Sequence, residues 1–397
     1  MINDRIGCRS CNTFRVTDDE ALSYQCSTCQ GLLSPVLRGP QPLSQLINPS
    51  LGLPWRYPAL LPLPGPEALV VPAVCPPTRR SALLETQLNV SEAWLIDCTK
   101  FGTGTFKDLE AAVVIAAAAA MSIPRISVHS TGNTALAYRH FALRAGIGCA
   151  SYVPLQNAAK LGGITRSEGH PIYLVDAEYA RVPSIARTEA AHAGWHHMAP
   201  IGWKLEGKAA LAWWIAEVVP QATAIAQTVA GGYGALGYET GFRRMQMAAS
   251  DPAGVLLSRR YLLFQPQDAC TLTRAWARGA GRLDEDALNL PPHPYEPTLQ
   301  SSNPVATLPR LRSLMPDGTQ FTSVSRDTVE GARSWVDAVL ADVGIELDFA
   351  REKSAYIELA GLREISLPRS EKLAIIVSGS PPFDGSTRDN ATEILRA

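Results

Sequence analysis

One lysine, Lys107, stands between a glycine turn and a helix that is apolar almost all round. The stretch Gly102-Thr-Gly-Thr-Phe-Lys-Asp108 runs into a segment of alanines and branched aliphatics, so that Asp108 to Met121 reads as a helix. A helix with no polar face has to be buried, and the run from Ala111 to Met121 is too short to span a bilayer. Just before it, Ala93-Trp-Leu-Ile-Asp97 reads as a strand feeding the turn. The order strand, glycine turn, lysine, buried helix sets an amine at the edge of a core. That position suits a carbonyl compound held as a Schiff base, although a solvated lysine near a helix end fits the same residues.

Two later stretches share the pattern of strand, polar turn and helix start. Ser130-Thr131-Gly132-Asn133-Thr134-Ala135 follows the strand-like Arg125 to His129 and precedes a helix from Asn133 to Ala145, stopped by Gly146. It offers hydroxyls and helix N–H groups to an anion. Val229-Ala-Gly231-Gly232-Tyr233-Gly234-Ala-Leu-Gly237 lets the backbone wrap a phosphate. Either stretch alone could be only a structural turn. Further strands at Ala150 to Val153, Ile172 to Val175, Ala224 to Val229, Tyr261 to Phe264 and Leu373 to Val377, with a helix at Pro183 to Ala193, give the alternation of an α/β protein with parallel sheets covered on both faces.

Taken together and in this order, the three stretches resemble the fold type II pyridoxal phosphate enzymes (tryptophan synthase beta-like), and within them the threonine synthase-like family. Trp55-Arg-Tyr57, Ala145-Gly-Ile147 and Lys204-Leu-Glu-Gly207 extend the likeness over nearly the whole chain. The resemblance implies a two-lobed α/β fold with Lys107 as the Schiff-base residue. It also implies Asn133 beside the cofactor ring, Gly231, Gly232, Tyr233 and Gly234 around its phosphate, and Ser378 at its pyridine nitrogen, although Ser378-Gly379 could equally be an ordinary turn. Ser130, Thr131, Gly132 and Thr134 would take the substrate carboxylate. The implied activity is β/γ elimination or replacement on an activated, O-phosphorylated small amino acid. A cysteate synthase-like β-replacement enzyme is the runner-up, and a catalytically silent ligand- or partner-binding relative is the alternative of another class. Enzymes of this fold type are commonly dimers, so a homodimer is the implied partner.

Several positions depart from the family pattern. Lys107 is followed by Asp108-Leu109-Glu110 where Asp-Arg-Gly is usual, which removes an arginine and adds an acid. Phe101-Gly102 replaces Asn-Pro, Ile201-Gly-Trp-Lys204 replaces Asn-Pro-Tyr-Arg, and Val71 to Thr78 lacks the usual Gly-x-Thr-Pro-Leu turn. Elements expected to hold the cofactor persist while those expected to face substrate drift.

The N-terminus adds a separate module. Cys8-Arg-Ser-Cys11 and Cys26-Ser-Thr-Cys29 are two knuckles with the spacing of a zinc ribbon, whose four thiolates would fill a structural Zn2+ and leave no open position. From Gly31 to about Pro77 the chain is rich in proline and leucine and reads as an arm laid over a neighbouring surface. The expected division is 1-35 zinc ribbon, 36-110 arm and first part of the large cofactor domain, 111-205 small domain carrying the asparagine turn, and 206-397 the remainder of the large domain. Gly279 to Pro297 reads as a loop. A net charge of −1 provides no basic field for nucleic acid or an anionic membrane. Cysteines clustered at one end and a start without an apolar leader suggest a reducing, cytoplasmic setting. His196-His197 reads as a surface or core pair, because adjacent residues point apart.

Overall fold

The computed structural model describes residues 2–63, 74–161, 167–198, 201–251, 259–279, 294–301, 307–379 and 393–396. Val71 to Ala73 of the rebuilt turn and most of the expected 279–297 loop lie outside them.

Beside a short antiparallel pair in the N-terminal module, β1 (Ile6–Gly7) with β2 (Ser34–Pro35), two sheets carry the molecule. The larger is built from β3 (Thr78–Arg80), β4 (Glu92–Asp97), β9 (Ala224–Thr228), β10 (Arg260–Pro266), β11 (Gln320–Val324) and β12 (Lys372–Val377), in the order β11-β10-β9-β12-β4-β3. All its neighbours are parallel except β3, which runs antiparallel to β4 at the edge. The smaller, in the order β13-β7-β6-β5-β8, is parallel throughout and uses β5 (Arg125–His129), β6 (Gly148–Pro154), β7 (Ile172–Asp176), β8 (His196–His197) and β13 (Glu393–Arg396). Strands buried on both faces explain why the sequence shows near-continuous apolar runs at β9, β10 and β12.

The chain builds β4, crosses to form the small lobe, and returns at β9. One correction to the expected division lies at the far end: Glu393–Arg396 does not stay with the large lobe but pairs with Ile172–Asp176 of the small sheet. Four mostly exposed residues carry no periodic signal that could have announced this. The edge strands Thr78–Arg80 and Gln320–Val324 escape a reading of apolar runs for the same reason, being largely polar or exposed.

The helix bearing Lys107 spans Lys107–Ala120 and is buried continuously from Asp108 to Ala118. Across it lies the helix Ile201–Val218, which approaches so closely at Gly207 that an added Cβ would run into the Leu109 carbonyl and stand 2.7 Å from Glu110 Cα. On its other side, Gly241 of the helix Tyr233–Ala248 meets Ala209 O, where an added Cβ would stand at 2.7 Å. Small residues thus let three helices touch backbone to backbone, and the middle one presents Lys204 and Lys208 to Glu110.

The N-terminal module docks on that middle helix. Trp203 Nε1 donates to Ala21 O at 2.8 Å, and Tyr24 donates to Glu206 at 2.8 Å while Arg244 pairs with the same carboxylate. The proline-rich arm follows, with Trp55, Tyr57, Leu60, Leu61 and Leu63 buried in the main core. Arg56 grips Glu217 through Nε and Nη2, and Tyr57 donates to it at 2.7 Å.

Candidate active site

Parallel strands place their C-terminal ends along one edge, and the loops leaving β4, β5, β9 and β12 meet there. Adjacent registers bring Val377 opposite Asp97. The segment after β12 is then tied to the lysine turn: Phe106 N–H donates to Ser378 Oγ at 3.4 Å, and Gly379 N–H to Gly104 O at 3.1 Å. The resulting cleft is lined by Lys107, Ser130, Thr131, Asn133, Thr134, Gly231, Gly232, Tyr233, Gly234 and Ser378. Residues spread over 272 positions of sequence thus face one volume.

Gly132 is the exception among the expected site residues. It is absent from the lining, and its N–H is engaged by Ser130 Oγ at 3.0 Å. With φ at 139° and an added Cβ only 2.9 Å from Lys160 Cβ, its part is conformational: it lets the turn fold. Asn157, which no motif marked, donates to Thr131 O at 2.8 Å and braces the same turn.

Lys107 keeps some surface open to the cleft, but its amine is surrounded by protein. Burial, and after it the Lys208 ammonium, pull its pKa from 10.5 to about 7. Glu110 sits one turn further along the helix. Burial would raise its pKa, yet Lys208, Lys204 and Lys107 overcome that and hold it near 2. Lys208 bonds Glu110 directly, Lys204 lies 3.7 Å from it, and Tyr138 donates to it at 3.1 Å. The acid that departs from the family pattern is therefore already paired, by Lys208 and Lys204 of the crossing helix.

Other lining residues were not among those the sequence marked as site residues. His129, Arg187 and Lys204 bring further positive or hydrogen-bonding groups, and Glu352 and Glu358 face the same space. Burial raises Glu358 well above the ordinary carboxylate range.

The geometry suits a phosphate-bearing pyridine aldehyde. Asn133 Oδ1 is buried with no partner among the described residues and can accept from a ring hydroxyl, while its Nδ2 reaches Glu352 at 3.5 Å. At the glycine turn an added Cβ would stand 2.7 Å from Ser301 Oγ at Gly231 and 2.7 Å from Leu311 at Gly232, and would clash with Gln227 at Gly234. No side chain caps the helix that starts at Tyr233, which leaves its N–H groups for an anion.

Outside the cleft lining, the sulfurs of Cys8, Cys11, Cys26 and Cys29 all lie within 4.8 Å of one another, with Cys8 to Cys29 at 3.4 Å and Cys11 to Cys26 at 3.6 Å. Tetrahedral zinc with bonds of about 2.3 Å needs sulfur separations of about 3.8 Å, so the four thiols are compatible with that ion.

A two-lobed α/β protein with a buried, near-neutral lysine amine facing an asparagine turn and a glycine cup belongs to the class of lysine-dependent cofactor enzymes. More particularly, residues 75–325 match the model of the pyridoxal-phosphate dependent enzyme family, and the chain belongs to that family with fold type II architecture. It is 22% identical to a threonine synthase of Methanosarcina acetivorans over 377 residues, covering 91% of this chain and 88% of that protein. Among solved structures it is similar to maize serine racemase (TM-score 0.58, 18% identity, 79% of this chain and 91% of that one). It is also similar to Escherichia coli diaminopropionate ammonia lyase (TM-score 0.59, 15% identity, 79% and 86%). At such identities these structures establish the fold alone.

Proposed function

We propose that this chain catalyses β/γ elimination or replacement on a small amino acid carrying an O-phosphoryl group, as threonine synthase does with O-phosphohomoserine. The observation that carries this reading is a second concentration of positive charge in the cleft: Arg187 and Lys204 line it in addition to the glycine turn. One anion site would serve the cofactor phosphate, and the other a charged substrate side chain. The full-length likeness to a threonine synthase supports the same choice.

Bound pyridoxal phosphate supplies an electron sink conjugated to the substrate Cα. The protein's share is positioning and proton movement. Lys107, depressed to about 7, is half in its amine form at neutral pH and can take the Cα proton and return it. Ser130, Thr131 and Thr134 would hold the carboxylate, and Asn133 would fix the ring. Ser378, a neutral hydroxyl, would leave the pyridine nitrogen unprotonated. Cys8, Cys11, Cys26 and Cys29 would hold a structural zinc with no open position.

Phosphate release from O-phosphohomoserine, with threonine formed in equal amount, is the expected result for the purified, cofactor-loaded enzyme. Release from O-phosphoserine only when sulfite is present would move the assignment to the cysteate synthase type. A coloured, lysine-linked protein silent with both compounds would remove the phosphate-bearing substrate.

A further inference from the structure

His129 and His197 form a hydrogen-bonded pair at the wall of the cleft that none of the sequence motifs marks. They are not neighbours in sequence, but β5 and β8 pair in parallel with Ser127 opposite His197, which sets His197 beside the end of β5. His197 Nδ1 lies 2.9 Å from Ser127 Oγ, and His197 Nε2 lies 3.1 Å from His129 Nδ1. The ring planes are 11° apart with centroids separated by 5.2 Å. Because the nitrogens are far closer than the centroids and the planes nearly parallel, the rings meet edge to edge and not face to face. Ser127 is fully buried behind them, whereas His129 lines the cleft. Its Nε2 has no hydrogen bond among the described residues and is not sealed off from solvent.

This chain has two neutral forms. In one, Ser127 donates to His197 Nδ1, His197 Nε2–H donates to His129 Nδ1, and His129 Nε2–H points onward as a donor. In the other, His129 Nδ1–H donates to His197 Nε2, His197 Nδ1–H donates to Ser127, and His129 Nε2 is a bare acceptor. A proton added from solvent to that bare nitrogen makes an imidazolium without breaking any bond of the chain, since every donor behind it still has its acceptor.

Electrostatics decides when that proton stays. Burial, then Lys204, His197 and Arg187, depress His129 well below the usual range, and burial, Lys204, Arg187 and His196 depress His197 to about 4. The pair is thus neutral at pH 7 while Lys204, from the helix Ile201–Val218 and 3.7 Å from Glu110, and Arg187, from the helix Val182–His192, face it. Two negative charges placed between them offset those two cations, and a desolvated site makes that change large.

We infer that His129 contacts the side-chain end of the substrate through Nε2, and that the His129–His197 pair takes up one proton when a distal oxyanion binds beside Lys204 and Arg187. The claim deepens the proposed reading, on which it rests for the cleft being a substrate site, but it does not require that the oxyanion be phosphate. His129 is the contacting residue, and His197 acts through it as a positioning residue.

The test uses cofactor-loaded full-length protein and sulfate, which does not itself titrate near neutrality. Calorimetric titration at pH 7.5 in two buffers of different ionisation enthalpy gives the protons taken up per sulfate bound. A value approaching one is expected for the natural protein and near zero for His197→Phe, with sulfate affinity about tenfold weaker in the variant. Histidine-labelled 15N spectra of the unmutated protein, which do not depend on the variant folding, should show one proton's worth of change from neutral to cationic within the His129–His197 pair as sulfate is added. Sulfate binding without proton uptake or a change in histidine state overturns the inference, as does failure of sulfate, and of malonate in parallel, to bind at all. Proton uptake together with inactivity toward O-phosphohomoserine leaves the inference standing and removes only the phosphorylated substrate.

Discussion

At the scale of the residue, the chemistry rests on keeping one amine neutral in a crowd of cations. Lys107 and Lys208 are both depressed, first by burial, and Glu110 is the carboxylate that makes the cluster tolerable. Lys107 has a folded pKa of about 7 against an ordinary value near 10.4. Between those values the unfolded chain binds the extra proton, so this group's contribution to stability increases as pH rises through that window and is least favourable below it. Uptake of pyridoxal phosphate by the cofactor-free protein, which needs the free amine, is expected to rise with pH about a midpoint near 7. Absorbance against pH checks this, and Lys107→Ala should take up no colour and incorporate no borohydride-fixed label. Replacing Glu110 by Gln removes the partner of Lys208 and leaves a buried ammonium facing its neighbours. A loss of about 3–5 kcal/mol is expected in urea unfolding, together with a lower midpoint for cofactor uptake, because Glu110 is what holds the Lys107 pKa up.

At the scale of the element, the middle helix Ile201–Val218 transmits order in three directions. Gly207 allows it to lie on the lysine helix, Gly241 allows the Tyr233–Ala248 helix to lie on it, and Trp203 and Glu206 hold the N-terminal module. Gly207→Ala would force backbone against backbone and is expected to cost about 1–3 kcal/mol. Its distinguishing sign would be a shift in the pH midpoint of cofactor uptake, since Lys204 and Lys208 move with the helix; thermal denaturation and the pH titration read the two effects separately. The asparagine turn offers a local comparison. Gly132→Ala places a Cβ at φ 139° against Lys160, a strain of about 1–3 kcal/mol, and is expected to weaken cofactor and substrate binding although Gly132 does not line the cleft.

At the scale of the whole molecule, no helix among the described residues is long and apolar enough to cross a membrane. The N-terminal module fastens to the rest of the molecule through Tyr24, Trp203, Glu206 and Arg244. If its four cysteines hold zinc, elemental analysis should find one ion per chain, and chelation should lower the thermal midpoint of the entire protein by loosening that contact. Cys26→Ser should reproduce the effect without a chelator.

Sequence alone determined the parts that local chemistry dictates. An unbroken apolar run forces the Lys107 helix into the core, the Asn133–Ala145 helix ends at a glycine able to adopt positive φ, and paired Cys-x-x-Cys knuckles bring four sulfurs together whatever the rest of the chain does. Only the tertiary structure decided what stands around the amine. Glu110, Lys204 and Lys208 meet through the crossing of two helices far apart in sequence, His129 meets His197 through the pairing of non-consecutive strands, and the strand Glu393–Arg396 returns to a sheet begun more than two hundred residues earlier. The physical reason is that helix and strand preferences act over a few residues, whereas pKa values, ion pairs and hydrogen-bond chains depend on which distant groups packing leaves within a few ångströms.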